Sequence, residues 1–293
     1  MKNYYFVLAL FGFFISSCDQ IDQPYSNVKF RYKEEVYGPA PSFSPISNPL
    51  KNVLVEEFTG HLCGFCPAST KLVNALDSTL GERMVTISIH AGTLAAVSAP
   101  PFDADYNTIP GNLYWGQLNG GFNPCARIDR LGGASNFVWL DADNPDSWRD
   151  IIQTQKNINP SAAIQLNADF VKEDNVINIH TATQFQTDLN GNYQLVVLIV
   201  ESDIISPQED YDQTPPEVED YHHKHVLRAA VTEAMGNTIA SNPSANEIKT
   251  TSYTFPLRTG WVGENCTVVA YLINPLNQEI INEKMKTVKF RGV

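Results

Sequence analysis

The chain has 293 residues, with 20 Lys+Arg against 32 Asp+Glu and 43% apolar residues. That length suggests about two domains, and the apolar share is far from the disordered class. A formal charge of −12 argues against binding nucleic acid or anionic lipid heads, because both need clustered Lys and Arg. No run of about 20 apolar residues is present, so no helix is expected to span a membrane.

Lys2 is the only charge before Asp19, and Tyr4 to Ile15 is uncharged and nearly all apolar. This stretch is too short for a span and suits the core of a secretory signal. It ends in Ile15-Ser16-Ser17-Cys18, which resembles the lipobox of bacterial lipoproteins. Residues 1–17 therefore read as a lipoprotein signal peptide, and Cys18 as the lipidated anchor of a Gram-negative envelope protein. An ordinary signal peptide with an incidental Cys is the plainer alternative. Residues 18–49 are polar and Pro/Ser-rich, with Pro39, Pro41 and Pro45 closely spaced. They read mostly as a tether, with one edge strand possible over 27–33.

From Asn52 to Phe58 the sequence is β-rich. Leu72, Val73, Leu76 and Leu80 then recur at helical spacing between Pro67 and Leu80, and Gly81 stands where a helix C-terminal glycine belongs. Met84 to Ile89 looks like a buried strand, which completes a right-handed parallel βαβ unit. A Gly/Pro-interrupted region runs to Gly121. Cys125 to Arg130, the Leu131-Gly132-Gly133 turn and Phe137 to Leu140 predict a hairpin. Asn144-Pro145-Asp146 opens a helix that fades near Asn157. After Pro160 the period changes to two, and strands are expected near 163–166, 176–180, 193–200, 249–255, 267–273 and 279–290. The expected fold is α/β over 50–158 followed by an all-β sandwich over 159–293.

Chemistry concentrates in Cys63-Gly64-Phe65-Cys66, between a strand and a helix. A helix N-terminus stabilises a thiolate, so Cys63 is positioned to attack a disulfide and Cys66 to resolve the mixed species. Half of a zinc site is the other reading of a CxxC, but no second CxxC completes it. In this context 50–158 resembles a thioredoxin-fold domain. The resemblance implies that Glu57 is the buried acid beneath the dithiol, accepting a proton as Cys66 becomes a nucleophile. The alternative for Glu57 is a solvated Glu56-Glu57 pair, of which strand alternation buries at most one. The resemblance also implies that Pro124 is cis and that Asn123 offers its backbone to a substrate. Leu62 departs from the Trp usual before the motif, and the stretch from Cys66 to Pro124 is longer than in thioredoxin.

Three further segments extend the likeness: Glu56-Glu57-Phe58-Thr59-Gly60, Ile89-His90-Ala91-Gly92 and His225-Val226-Leu227-Arg228. With them the chain resembles the outer-membrane lipoprotein family named for a twenty-eight-kilodalton member. What that implies is a thioredoxin-like domain followed by an immunoglobulin-like β-sandwich, on a lipid-anchored protein of the cell envelope, at the outer membrane.

Cys125 and His90 are weak metal-ligand candidates beside the dithiol, with burial the simpler reading of both. Cys125 and Cys266 are expected to be separately buried and unbridged. The acidic run from Glu201 to Asp220, followed by His222, His223 and His225, reads as a solvated loop. No Walker loop, HExxH, GxSxG or dinucleotide fingerprint is present, so those enzyme classes lack support and no cofactor is implied. The leading expectation is an envelope lipoprotein that performs thiol–disulfide exchange and whose β-sandwich binds a partner. Its expected partners are the thiols or disulfides of envelope proteins, and the membrane through Cys18. A non-catalytic surface adhesion lipoprotein with a structural disulfide is the alternative, and a thiolate metal carrier the third.

Overall fold

The computed structural model describes residues 30–139, 146–274 and 276–290. The signal segment, Cys18, residues 27–29 of the expected edge strand and the Asn144-Pro145 cap lie outside the described residues. After a short helix α1 (Glu34–Tyr37), the expected βαβ unit is present as β1 (Val53–Thr59), α2 (Cys66–Leu80) and β2 (Met84–His90). β1 and β2 pair in parallel, with Phe58 opposite Ile89. Pro67 sits in the first turn of α2, where a missing N–H is harmless. Gly81 ends the helix at φ +55, and its N–H donates to the Asp77 carbonyl.

α3 (Ile109–Gly116) arises inside the Gly/Pro-interrupted region. Thr108 caps it by accepting from the Gly111 N–H, and Pro110 stands in its first turn. β3 (Cys125–Ile128) and β4 (Val138–Trp139) form the expected hairpin, and α4 (Asp146–Gln155) follows. Nearly all that remains is strand: β5 (Ala162–Val171), β6 (Val176–Phe185), β7 (Asn192–Glu201), β8 (Ile204–Glu209), β9 (Glu217–His223) and β10 (Val226–Ala230). Then come β11 (Asn237–Ser241), β12 (Ile248–Pro256), β13 (Cys266–Ile273), β14 (Ile280–Thr287) and β15 (Lys289–Phe290).

The architecture is mixed α/β and dominated by sheet. One sheet runs in the order β14-β13-β7-β10-β2-β1-β3-β4, with β11 also on β7. A second has the order β12-β6-β5-β15, and β8 pairs with β9 alone. The boundary expected near Asn159-Pro160 falls between α4 and β5, yet the large sheet passes across it. β10 lies parallel to β2 at Val226–Ser88, and the Ser88 N–H donates to the His225 carbonyl at 2.8 Å.

Both faces of this sheet are covered. Leu195, Val197 and Ile199 of β7 point at β5, β6 and β12 with Phe185 and Phe255. Their alternates Val196, Leu198 and Val200 point at Phe58, Ile87 and Tyr114. Burial on both faces explains why β7 reads as a continuous apolar run rather than an alternation. Each such side chain contributes about 1.5–3 kcal/mol when fully buried. Behind β1, β2 and β3, the helices α2 and α4 bury Val73, Leu76, Trp148 and Ile152 against Val53 and Val55.

Residues 30–49, within the stretch read as a tether, are laid against the smaller sheet. Arg31 bridges to Tyr253, the Ile46 N–H donates to Gln184 Oε1 at 2.7 Å, and Gln165 Nε2 donates to the Ser44 carbonyl at 2.8 Å.

Candidate redox site

β1 delivers the chain at Thr59 into a tight turn, and α2 begins at Cys66. The Cys63 N–H donates to the Gly60 carbonyl and the Cys66 N–H to the Cys63 carbonyl, both at 3.0 Å. Gly60 is required by close approach, since a Cβ there would stand 2.3 Å from the Leu94 carbonyl oxygen. The turn brings Cys63 and Cys66 into a disulfide with a Cα–Cα distance of 5.3 Å, inside the range the bond accepts. Both residues are buried, at 2% and 1% exposure, whereas Phe65 between them is exposed.

Glu56 and Glu57 are both buried, which corrects the expectation that at most one would be. The reason is that β1 has no solvent face: its even and odd positions meet different cores. Glu56 shares the face of Leu54 and Phe58. Arg130 Nη2 and Arg127 Nη2 donate to its Oε1 at 2.7 and 2.9 Å, and Arg130 Nε to its Oε2 at 3.0 Å. Burial alone would raise the Glu56 pKa, but the two guanidiniums outweigh it and hold the carboxylate below its ordinary range. Glu57 faces α2, and among the described residues no cation pairs with it. Thr70 Oγ1 and Ser88 Oγ donate to its two oxygens at 3.2 and 3.3 Å. Burial therefore dominates and raises the Glu57 pKa.

Thr70 and Ser88 also line a cavity of about 10 Å³ with Cys66, Thr59, His90 and His223, room for a single water. His90 ends β2, and neither of its ring nitrogens has a hydrogen-bond partner among the described residues. The rings of His223 and Tyr106 lie 5.4 and 5.0 Å from it. Burial holds His90 well below the ordinary histidine pKa and His223 down to about 4, so both imidazoles are neutral near pH 7.

The Asn123–Pro124 bond is cis, and Asn123 is buried. Its Nδ2 donates to the carbonyls of Thr59 and Ala91 at 3.1 and 2.9 Å, which ties the loop before β3 to the ends of β1 and β2. Cys125 stands opposite Phe58 with its thiol free, and Cys266 is likewise free. Burial raises both thiols to about 12, so neither is a thiolate at neutral pH. Their separate burial is the arrangement the sequence predicts. Among the described residues no group of three or more His, Cys, Asp or Glu is placed to hold a metal ion.

The reading of 201–220 as a solvated loop needs correction. The segment folds into the β8–β9 hairpin, which lies against the CGFC turn. Gln208 is buried, and its Nε2 donates to the carbonyls of Gly60 at 3.2 Å and Cys63 at 3.1 Å. The N–H groups of Glu209 and Tyr211 donate to the carbonyls of His61 and Gly64, each at 2.9 Å. The Tyr211 ring sits on Gly64, where a Cβ would meet it at 2.3 Å, and packs edge-on to Phe65 at 5.1 Å. Most of the acids remain outside, which is why the composition looks solvated. Gln208 carries no signal in the sequence, and His223 stands out there only as one of the histidines that follow the acidic run.

A family model described as outer membrane protein Omp28 matches residues 114–291, a stretch that excludes the CGFC turn. No curated protein matches the chain. Among solved structures, it is similar to HBP35 of Porphyromonas gingivalis, with TM-score 0.65 and 18% identity over 82% of this chain and 76% of that one. A protein from Agrobacterium tumefaciens matches with TM-score 0.48 and 12% identity, over 82% of this chain and 96% of that one. A domain of the outer membrane lipoprotein Omp28 from P. gingivalis matches with TM-score 0.31 and 15% identity, over 46% and 93%. The family match takes in more than half of the chain: this protein belongs to the Omp28 family of outer membrane proteins and is a protein of the cell envelope.

Proposed function

We propose that this envelope protein performs thiol–disulfide exchange through Cys63 and Cys66. The observation that carries the reading is the pairing of the CGFC disulfide with an uncompensated buried carboxyl, Glu57, whose neighbours Thr70 and Ser88 line the same cavity as Cys66. A carboxyl whose burial favours the protonated form is able to give a proton to Cys66 as that sulfur leaves, and to take one back when Cys66 attacks. In the reduced protein Cys63 is the attacking thiolate, beside the N-terminus of α2, and Cys66 the resolving thiol. Pro124 and Asn123 shape the edge on which a substrate lies.

The parallel β1–α2–β2 unit with β3 antiparallel beyond it supports a thioredoxin-like assignment for 50–158. Two sheets facing each other across an apolar core support an immunoglobulin-like sandwich, with a partner-binding role, for 159–293. Residues 1–17 are the signal peptide in this reading, 18–49 the tether, and Cys18 the lipid anchor. The substrates are the thiols or disulfides of other envelope proteins.

One observation favours the second reading, a structural disulfide in a binding or adhesion lipoprotein: both cysteines are all but inaccessible. Trapping separates the two. With Cys66→Ser, envelope extracts should give mixed disulfides with the protein on non-reducing gels, and Cys63→Ser should give none. Absence of adducts from both variants would support the structural reading.

A further inference from the structure

We propose that the β8–β9 hairpin occupies the docking edge of the dithiol as an internal competitor, so that the site selects extended cysteine-bearing polypeptide over small thiols. The inference rests on the exchange reading of Cys63 and Cys66 and adds a substrate class and a means of control.

Exchange requires a thiolate to reach Cys63 Sγ along the line of the S–S bond, and Cys63 is 2% exposed. The hairpin is anchored to the turn that carries this sulfur. Gln208 bridges Gly60 and Cys63, and the N–H groups of Glu209 and Tyr211 reach His61 and Gly64. Glu209 ends β8 and Tyr211 lies in the turn that follows, closed by the Gln213 N–H on the Asp210 carbonyl, and the N–H groups of both are directed at the CGFC turn. The CGFC turn is therefore held by main-chain donors of the hairpin. A polypeptide backbone carries N–H groups able to replace them, and an isolated thiol carries none.

The hairpin is also suited to leaving. Among the described residues β8 and β9 pair with no third strand, and a two-stranded unit is marginal in water without other support. Its side-chain ion pairs to Lys71, from Asp210 and Asp212, are both 3.5 Å long on a lysine that is largely exposed, a kind of pair that holds little.

The step balances within the two partners. A thiolate of the polypeptide attacks Cys63 Sγ, the Cys63–Cys66 bond breaks, and the electron pair passes to Cys66 Sγ, which takes the proton held by Glu57. A second cysteine of the polypeptide, its proton passing to solvent, then attacks the polypeptide sulfur of the mixed disulfide, which forms the polypeptide's own disulfide and releases Cys63 as thiolate, while Glu57 regains a proton from solvent. The polypeptide is oxidised by two electrons and the CGFC pair is reduced by two.

The test uses the oxidised full chain in detergent, with N-acetylcysteine and an unstructured two-cysteine peptide as the two reductants. Gln208→Ala removes the bonds to Gly60 and Cys63, and Tyr211→Ala removes the ring from Gly64 while leaving the buried glutamine. Two variants guard against misfolding of either. The wild type should react faster per thiolate with the peptide. In the variants the N-acetylcysteine rate should rise about fivefold, the size of one hydrogen bond's typical net contribution, and the preference for the peptide should narrow. Equal N-acetylcysteine rates in the wild type and both variants, or a rise matched by the peptide, would overturn the proposal. These are rates, whereas the exchange reading stands or falls on the equilibrium potential, so the two failures are distinct.

Discussion

Glu56 and Glu57 are neighbours on one strand with opposite fates. One meets two guanidiniums and stays ionised; the other meets only hydroxyls and is pushed toward the neutral form. The sequence predicts a role for Glu57 but not the partner set of Glu56, because Arg127 and Arg130 are more than 70 residues away along the chain. A second buried charge group shows the same physics with a pH consequence. Lys51 Nζ lies 2.7 Å from Asp129 Oδ2 and 3.3 Å from Glu283 Oε2, one cation between two carboxylates. Burial pushes Glu283 up from 4.5 to about 8, against the pull of Lys51. The folded chain then holds a proton that the unfolded chain releases, so this group's contribution to stability is lost as pH rises from about 4.5 to about 8. Glu283→Gln should be the more stable protein at pH 8.5, by about 1 kcal/mol or more, and no more stable than wild type below pH 4. Urea unfolding at the two pH values checks this; a variant less stable at both would contradict it.

At the level of elements, β1, α2, β2 and the β3–β4 hairpin were legible because each carries a local signal: an apolar run, helical spacing, a turn glycine. α3 was less so, being short and embedded among glycines and prolines, although Thr108 and Pro110 mark its start in retrospect. The β8–β9 hairpin escaped the sequence because its strands carry acids and histidines rather than alternating apolar residues. Its stability comes from main-chain bonds to the CGFC turn, which composition does not reveal. β7 shows the converse. Its apolar run predicts a strand, but only the structure shows that the two faces serve two different cores. Leu198→Ala, on the face toward Phe58 and Tyr114, should therefore destabilise the protein by about 2–5 kcal/mol, as a cavity left in a core does. Equilibrium denaturation measures it, and a loss well under 1 kcal/mol would mean that this core repacks freely.

On the scale of the whole molecule, the large sheet joins what the change of period divides. β10 crosses back from the C-terminal half to lie beside β2, and β7 and β13 extend the same sheet. Periodicity finds strands but not their non-local partners, so this crossing was invisible in the sequence. It places the base of the β8–β9 hairpin at the C-terminal ends of β1 and β2, where the dithiol stands. Membership of an outer membrane family agrees with the envelope location, and among the described residues no helix is long and apolar enough to cross a membrane. If Cys18 carries the anchor, Cys18→Ala should move the protein from the membrane pellet to the soluble fraction; a variant still wholly in the pellet would refute that anchor. The central claim concerns the dithiol, and its most direct test is the reduction potential of Cys63–Cys66, equilibrated against glutathione and read by mass after alkylation. Working exchange predicts a potential above about −300 mV, in the range of roughly −120 to −270 mV that exchange proteins occupy. A value below about −300 mV, resistant to the glutathione pool, would make the bond a structural disulfide and contradict the account.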